Sequence, residues 1–214
     1  MGIKSAPIYL FSDQSHEGVE HLPLFEIVFT SSSPRLEEVD AIIFTSKNSV
    51  KALELCGVYW QDKACYAIGE GTAAAIRACG GNLLFTCKHS YGDLFAHELI
   101  PLLKDKRVFF PRAKEVISPL FEILHSAGVT IFQEIMYETL CRHYAPVYAP
   151  AKNAILIFTS PSTVHCFLKN FSWDESYRTI VIGTKTAAVL PLHVKPIIAE
   201  VQTIAHCVAL AKAL

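Results

Sequence analysis

Ile43-Phe44-Thr45-Ser46-Lys47-Asn48-Ser49-Val50 returns further along the chain as Ile157-Phe158-Thr159-Ser160-Pro161-Ser162-Thr163-Val164, an offset of 157 − 43 = 114 residues. A second pair keeps the same spacing. Ile68-Gly69-Glu70-Gly71-Thr72-Ala73-Ala74 matches Ile182-Gly183-Thr184-Lys185-Thr186-Ala187-Ala188, and 182 − 68 is again 114. Two separate motifs sharing one offset point to an internal duplication, the most decisive kind of sequence signal for architecture. A looser echo relates Tyr91-Gly92-Asp93-Leu94 to the region after Thr203.

Each repeated motif begins on an apolar run without alternation: Ala41-Ile42-Ile43-Phe44 and Ala154-Ile155-Leu156-Ile157-Phe158. Arg107-Val108-Phe109-Phe110 and Thr179-Ile180-Val181-Ile182 read the same way. Strands apolar on both faces belong to buried parallel sheets. Helix-like segments follow at 49–55, 72–79, 116–126, 163–170 and 186–190. Strands alternating with helices define an α/β fold with parallel sheets flanked by helices.

Leu24-Phe25-Glu26-Ile27-Val28-Phe29-Thr30 and Phe132-Gln133-Glu134-Ile135-Met136-Tyr137-Glu138-Thr139 differ, mixing β-formers with intermittent polar residues. They bracket the first repeat. Paired, they would make a two-stranded connector of residues 25–33 and 132–144. The first domain would then be discontinuous, 1–24 plus 145–214, and the second would span 34–131.

Composition narrows the functional classes. With 51% hydrophobic and 18% charged residues in 214, the chain has material for packed cores, which a disordered chain lacks. A net charge of −1 provides no global field to hold nucleic acid, so an anionic ligand must be held by local geometry. Thr159-Ser160-Pro161 interrupts the apolar stretch 155–167, which falls short of the roughly 20 residues of a spanning helix. The N-terminal apolar run 7–11 is too short for a signal-peptide core, so a cytoplasmic protein without a membrane span is expected. The seven cysteines (56, 65, 79, 87, 141, 166 and 207) form no CxxC pair and no metal-ligand spacing, and read as small buried hydrophobes. Gly69-Glu70-Gly71 lacks the spacing of a phosphate loop, and neither a GxGxxG after a strand nor a GxSxG elbow occurs.

The strand–Phe-Thr-Ser–helix segments, the two Ile-Gly-x-x-Thr-Ala-Ala segments and Met136-Tyr137-Glu138-Thr139 together resemble the uroporphyrinogen-III synthase family, from about residue 24 to the C-terminus. The resemblance implies two similar α/β domains joined by a two-stranded ladder, with the active site in the cleft between them. It also implies a reaction in which hydroxymethylbilane loses water and closes to uroporphyrinogen III with inversion of the last ring, without metal or organic cofactor. In one place the chain departs from the family. Where the family opens with a strand followed by Thr-Arg, Tyr9-Leu10-Phe11 runs here into Ser12-Asp13, so no role of that arginine carries over.

An octacarboxylate substrate needs hydrogen-bond donors. In open α/β sheets, ligands sit beyond the carboxyl ends of the strands, where helix N-termini present N–H groups and the positive dipole end. Thr45, Ser46, Thr159 and Ser160 fall there, as do Gly69, Thr72, Gly183 and Thr186; Tyr91 and Gly92 open a further segment. The Ser and Thr residues would serve equally as helix caps, and the two roles are compatible. At Gly69 and Gly183 the absence of Cβ would let a ligand approach the backbone. Lys47, Arg112 and Lys185 lie near strand ends and offer charge-assisted bonds worth about 1.5–3 kcal/mol each, unless they are solvated surface cations. Departure of the hydroxymethyl oxygen as water calls for a general acid. Tyr137 is the candidate, since a phenol with an ordinary pKa of about 10 keeps its proton at neutral pH; otherwise it is a packed connector residue. His89, next to Tyr91, is a lesser candidate.

The expected partners are therefore a small-molecule octacarboxylate and the preceding enzyme of the pathway, for a monomeric protein. A different class shares every fold-level feature: a non-catalytic two-lobed module that clamps a small anion as a sensor. A glycosyl- or nucleotide-transferring enzyme is disfavoured by the missing phosphate loop and acidic metal-binding pair. Conversion of hydroxymethylbilane separates these readings.

Overall fold

In a parallel sheet covered on both sides, successive residues of a strand face opposite layers and both must be apolar. The computed structural model, which describes residues 6–88, 91–116 and 118–214, meets this condition twice. The strands and helices alternate in chain order. The first stretch holds β1 (Ile8–Phe11), β2 (Glu20–His21), β3 (Phe25–Phe29), β4 (Ala41–Phe44), α1 (Lys47–Cys56), β5 (Ala64–Ala67) and α2 (Glu70–Ala78). Next come β6 (Leu83–Thr86), α3 (Gly92–Leu99), β7 (Arg107–Ala113), α4 (Leu120–Ser126) and β8 (Thr130–Cys141). The remainder holds β9 (Ile155–Phe158), α5 (Pro161–Asn170), β10 (Arg178–Val181), α6 (Thr184–Ala187), β11 (Ile197–Ile198) and α7 (Ile204–Lys212).

One sheet has the order β11-β10-β9-β1-β2, the other β3-β8-β7-β4-β5-β6. The pairs β1–β2, β1–β9, β9–β10 and β10–β11 are parallel, as are β4–β5, β4–β7, β5–β6 and β7–β8. By its contacts the chain forms two units. One takes residues up to Glu26 with Leu140–Leu214, the other Ile27–Thr139, so the boundaries fall inside β3 and β8. The bonds Thr30 N–H to Met136 O (3.0 Å) and Arg142 N–H to Leu24 O (2.8 Å) fix the pairing of these two strands. The partner's number falls as the residue's own number rises, so the pair is antiparallel.

In the Ile27–Thr139 unit, Ile42 and Phe44 of β4 face α1 and α2 through Val50, Leu53, Ala73 and Ile76. Ala41 and Ile43 face α3 and α4 through Phe95, Leu99, Leu120 and Leu124. Trp60 is fully buried with its ring 5.4 Å from Phe44, and its indole N–H donates to Glu54 (2.8 Å). The other unit repeats the plan. Leu156 and Phe158 of β9 face Val164 and Phe167 of α5, and Ile155 and Ile157 face Cys207 and Val208 of α7.

Two helices are shorter than the 116–126 and 186–190 segments predicted. The cap of α4 is Pro119, whose ring blocks the helical conformation for the residue before it. The four-residue α6 gives out before Pro191, which has no N–H to continue it. Cys141 and Cys166 are joined in a disulfide that ties the end of β8 to α5, with Cα atoms 5.2 Å apart. This corrects the reading of all seven thiols as free small hydrophobes. The Asn170 side chain reinforces the tie by accepting from Tyr144 N–H and donating to Arg142 O, both at 2.8 Å.

The bridge closes a span of 25 residues, for which loop entropy gives a stabilisation of about 3 kcal/mol. Reduction, or the Cys141→Ser/Cys166→Ser double variant, should lower the melting temperature measurably, and wild type and variant should melt alike in excess reductant. Burial, with Asp62 nearby, pushes the Cys65 thiol up to about 12. Cys56, Cys79 and Cys207 are raised too, chiefly by burial. The unfolded thiols lose their protons near the ordinary value while the folded ones keep theirs. Their contribution to stability is therefore full at neutral pH and falls as pH rises from about 9 toward 12. Denaturant titrations from pH 8 to 11 should show this decline, less steeply in Cys65→Ala.

Candidate active site

All strands of a parallel sheet end on the same edge, and a crevice opens where the winding reverses direction. In the Ile27–Thr139 unit the chain proceeds from β4 to β5 and β6, then returns to place β7 on the other side of β4. The reversal lies between the carboxyl ends of β4 and β7. In the other unit β1 is followed by β2 on one side and flanked by β9 on the other, so the reversal lies between β1 and β9.

At the first crevice, β4 ends at Thr45 and Ser46. Ser46 is extended (φ −158°, ψ 146°) and caps α1, its Oγ accepting from Asn48 N–H at 3.1 Å. Lys47, the first residue of α1, is exposed. From β5, Gly69 caps α2 without a side chain, and Thr72 and Ala73 N–H return to Gly69 O at 3.1 and 3.0 Å. Gly69 is itself buried in the extended conformation, and Thr72 is buried behind it.

Near the end of β7 stands Arg112, whose guanidinium is engaged in holding the turn. Nε donates to Gln133 Oε1 (2.8 Å), and Nη1 to the carbonyls of Ala113 (2.8 Å) and Lys114 (3.0 Å). Lys114 pairs with Glu138 at 2.8 Å, and this bond raises the Lys114 pKa above its ordinary value. A register shift between Arg112 and Ala113 sets Tyr137 of β8 opposite Ala113 at the same sheet end. Its ring is buried, 6.3 Å from that of Phe29. Beyond β6, Tyr91 is exposed and precedes α3. Gly92 packs on Ser118, where an added Cβ would come within 2.6 Å of the serine Cβ and nearer still to its Oγ, so a packing demand already explains this glycine. His89 lies outside the described residues.

At the second crevice, the Thr159 hydroxyl donates to Phe11 O (2.9 Å), linking the ends of β9 and β1. Ser160 and Thr163 form a reciprocal capping box at the start of α5, with Pro161 in its first turn. Gly183 caps α6 with φ −177°, a conformation open to any residue. What distinguishes Gly183 is its neighbour, since a Cβ there would meet Gln202 Nε2 at 3.1 Å. Thr186 is buried, and Lys185 is exposed on α6.

Each unit thus gathers its own candidates on one sheet end. Thr45, Ser46, Gly69, Arg112 and Tyr137 share one; Thr159, Ser160 and Gly183 share the other. Thr72 and Thr186 instead turn into the packing of their helices. Some residues at these ends were not singled out in the sequence. Ser12 is buried after β1, accepts from Gln14 N–H (3.1 Å) and donates to Asp13 (3.4 Å), and its carbonyl meets His21 Nε2 at 2.9 Å. Its place after Tyr9-Leu10-Phe11 was the available signal. Gln202 had none, because only the fold brings it to Gly183.

No metal-binding group of three or more His, Cys, Asp or Glu, and no helix long and apolar enough to cross a membrane, is found among the described residues. Among known proteins, the chain matches the family described as uroporphyrinogen-III synthase HemD over residues 11–209. No curated protein matches it. The crystal structure of uroporphyrinogen-III synthetase from Helicobacter pylori 26695 is 29% identical and superposes with a TM-score of 0.83, covering 97% of this chain and 99% of that one. A mutant uroporphyrinogen III synthase from the extremely thermophilic bacterium Thermus thermophilus shares the fold at 15% identity, with a TM-score of 0.67 and 98% of both chains covered. The match across nearly the whole length, on a fold of two mostly parallel sheets with helices on both faces, shows that the chain belongs to the uroporphyrinogen-III synthase family.

Proposed function

We propose that this chain closes hydroxymethylbilane to uroporphyrinogen III, with loss of water and inversion of ring D through a spiro intermediate. The observation that carries this reading is the family match over residues 11–209, together with a relative that superposes over nearly the full length of both chains. It favours an enzyme of haem biosynthesis over a non-catalytic anion clamp. In class the reaction is that of a cyclising hydro-lyase. The protein would work as a cytoplasmic monomer, receiving its unstable substrate from the preceding enzyme.

The substrate's carboxylates need donors that remain after the helices are capped. Ser46 and Ser160 each accept one first-turn N–H, whereas Gly69 and Gly183 offer no side-chain acceptor. An α-helix leaves its first four N–H groups without intrahelical partners, so donors remain at α1, α2 and α5. Each charge-assisted bond contributes about 1.5–3 kcal/mol, and a few suffice to orient the substrate. Lys47, Lys185 and Tyr91 add side-chain donors at the same sheet ends. The role expected of Arg112 passes largely to positioning, since two of its nitrogens hold Gln133 and the Ala113–Lys114 turn.

Tyr137 is the group proposed to protonate the departing oxygen. Protonation releases water as the electron pair of the adjacent pyrrole forms the exocyclic double bond of a cationic azafulvene. The substituted carbon of ring D attacks the exocyclic carbon to give the spiro intermediate; the bond from that ring carbon to its original bridging methylene breaks, the freed methylene bonds the unsubstituted α-carbon of ring D, and the proton displaced there returns to the Tyr137 phenolate. The open chain would otherwise close without inversion, so holding the near-attack geometry is the larger share of the protein's task.

Purified protein with chelator and no added metal should convert fresh hydroxymethylbilane to the III isomer, read by chromatography of the oxidised porphyrins. Folded protein giving only the I isomer would overturn the proposal. Tyr137→Phe keeps the ring's packing and removes the hydroxyl. It should lower kcat about 10²–10⁴-fold, the usual contribution of a general acid, with an unchanged melting temperature. Wild-type turnover in this variant would remove the phenol from the chemistry.

A further inference from the structure

Gly183 is buried at the carboxyl end of β10, and its φ of −177° is open to any residue. Backbone conformation therefore does not ask for glycine there. Packing does. A Cβ on Gly183 would meet Gln202 Nε2 at 3.1 Å, Cδ at 3.3 Å and Oε1 at 3.7 Å. All three atoms belong to the carboxamide, so the amide group rests on the glycine. The space left by the missing side chain is filled by Gln202.

The fold sets Gln202 in this place. β10 lies between β9 and β11. Ile182 N–H donates to Phe158 O (3.0 Å) and Ala199 N–H to Val181 O (2.9 Å), so the ladder continues to both strand ends. The chain leaving β11 thus runs beside Gly183, on the edge that holds Thr159 and Ser160. Thr203 N–H then donates to Val201 O (2.8 Å), a three-residue turn centred on Gln202. The Thr203 hydroxyl accepts from His206 N–H (3.2 Å) and caps α7. With its backbone held in a turn and its amide seated on Gly183, the side chain has already given up part of its rotamer freedom. It has less to lose on binding a ligand.

The polar groups of Gln202 are uncommitted. Thr159, Ser160 and Thr163 each use their hydroxyl within the fold. Gln202 is exposed, and its carboxamide has no hydrogen-bond partner among the described residues. A carboxamide offers two N–H donors and one acceptor, without charge. The charged residues nearest in sequence to Gly183 and Gln202, Lys185 and Glu200, are exposed and opposite in sign. Directed N–H groups, rather than an excess of charge, are what this corner presents to an anion.

We propose that Gln202 is a substrate-binding residue, its amide N–H groups donating to one carboxylate of the octacarboxylate substrate. Gly183 is then the seat of that amide rather than a point where ligand meets backbone. The assignment rests on the reaction proposed above. A neutral donor suits that chemistry, because the substrate becomes cationic on losing water and a further positive charge would oppose the step.

Steady-state conversion of hydroxymethylbilane would be measured for the full chain and for Gln202→Met, Gln202→Glu, Gly183→Ala and the Gly183→Ala/Gln202→Met double variant, with the I and III isomers separated. Methionine keeps the length and packing of glutamine without its donors. Gln202→Met should raise KM about tenfold, the size of a hydrogen bond to a charged group, and lower kcat less, as loss of an interaction made in ground and transition state alike does. Gln202→Glu turns an acid toward the substrate carboxylate and should raise KM further. Gly183→Ala displaces the amide and should raise KM as well, yet add less than about twofold once Gln202 is replaced. An unchanged KM in Gln202→Met or Gln202→Glu, with the III isomer still formed, would overturn the assignment and leave the reaction standing. No loss in Gly183→Ala, or an equal loss in both backgrounds, would overturn the role given to Gly183. Wild-type protein giving only the I isomer would overturn the reaction, and this assignment with it.

Discussion

Burial of β4 and β9 on both faces is the constraint from which the rest follows. Every residue of these two strands is buried, and alternate residues belong to different cores. A four-residue strand of this kind cannot turn one face to water, so helices must cover both sides. Helices on both faces require crossover connections, and those keep the strands parallel. Parallel strands end together, and the polar turns that cannot be buried collect on one edge of each sheet. The clustering of Thr45-Ser46 with Arg112 and Tyr137, and of Thr159-Ser160 with Gly183, is thus a consequence of apolar strands rather than of any attraction among the polar residues.

On those edges, polar side chains are already engaged in stabilising the fold. Ser46 and the Ser160–Thr163 pair cap their helices, which answers the choice between capping and binding in favour of at least the first. Arg112 is a clearer case. Its charge is used inside the protein to close the turn after β7, a geometry that spacing from a strand end does not reveal. At the start of the chain, Ser12, Asp13 and Gln14 form a hydrogen-bonded turn after β1.

Where the chain leaves β8, the unit that holds the C-terminus is tied at several points. Arg142 and Glu26 approach at 3.9 Å, and Tyr144 OH donates to Pro23 O at 2.7 Å. The exposed ion pair contributes little. The disulfide to α5 and the two bonds of Asn170 hold the exit of β8 against the helix that carries Ser160 at its cap.

Fold class and family were legible in the written chain. The 114-residue offset and the unalternating runs at 41–44 and 154–158 imply duplicated parallel-sheet layers, because period and apolarity are local properties that a sequence records directly. The position of Tyr137 in a β-rich, mixed-polarity stretch was also legible, but not its opposition to Ala113, which depends on a register shift. Which polar groups are already used was settled by packing in three dimensions. That Arg112 bonds Gln133, that Thr72 and Thr186 turn inward, that Gln202 meets Gly183 and that Cys141 bonds Cys166 are all distances between segments remote in sequence or faces of a helix. Such contacts are set by how layers pack, and a residue's own type and its neighbours in sequence carry no record of them.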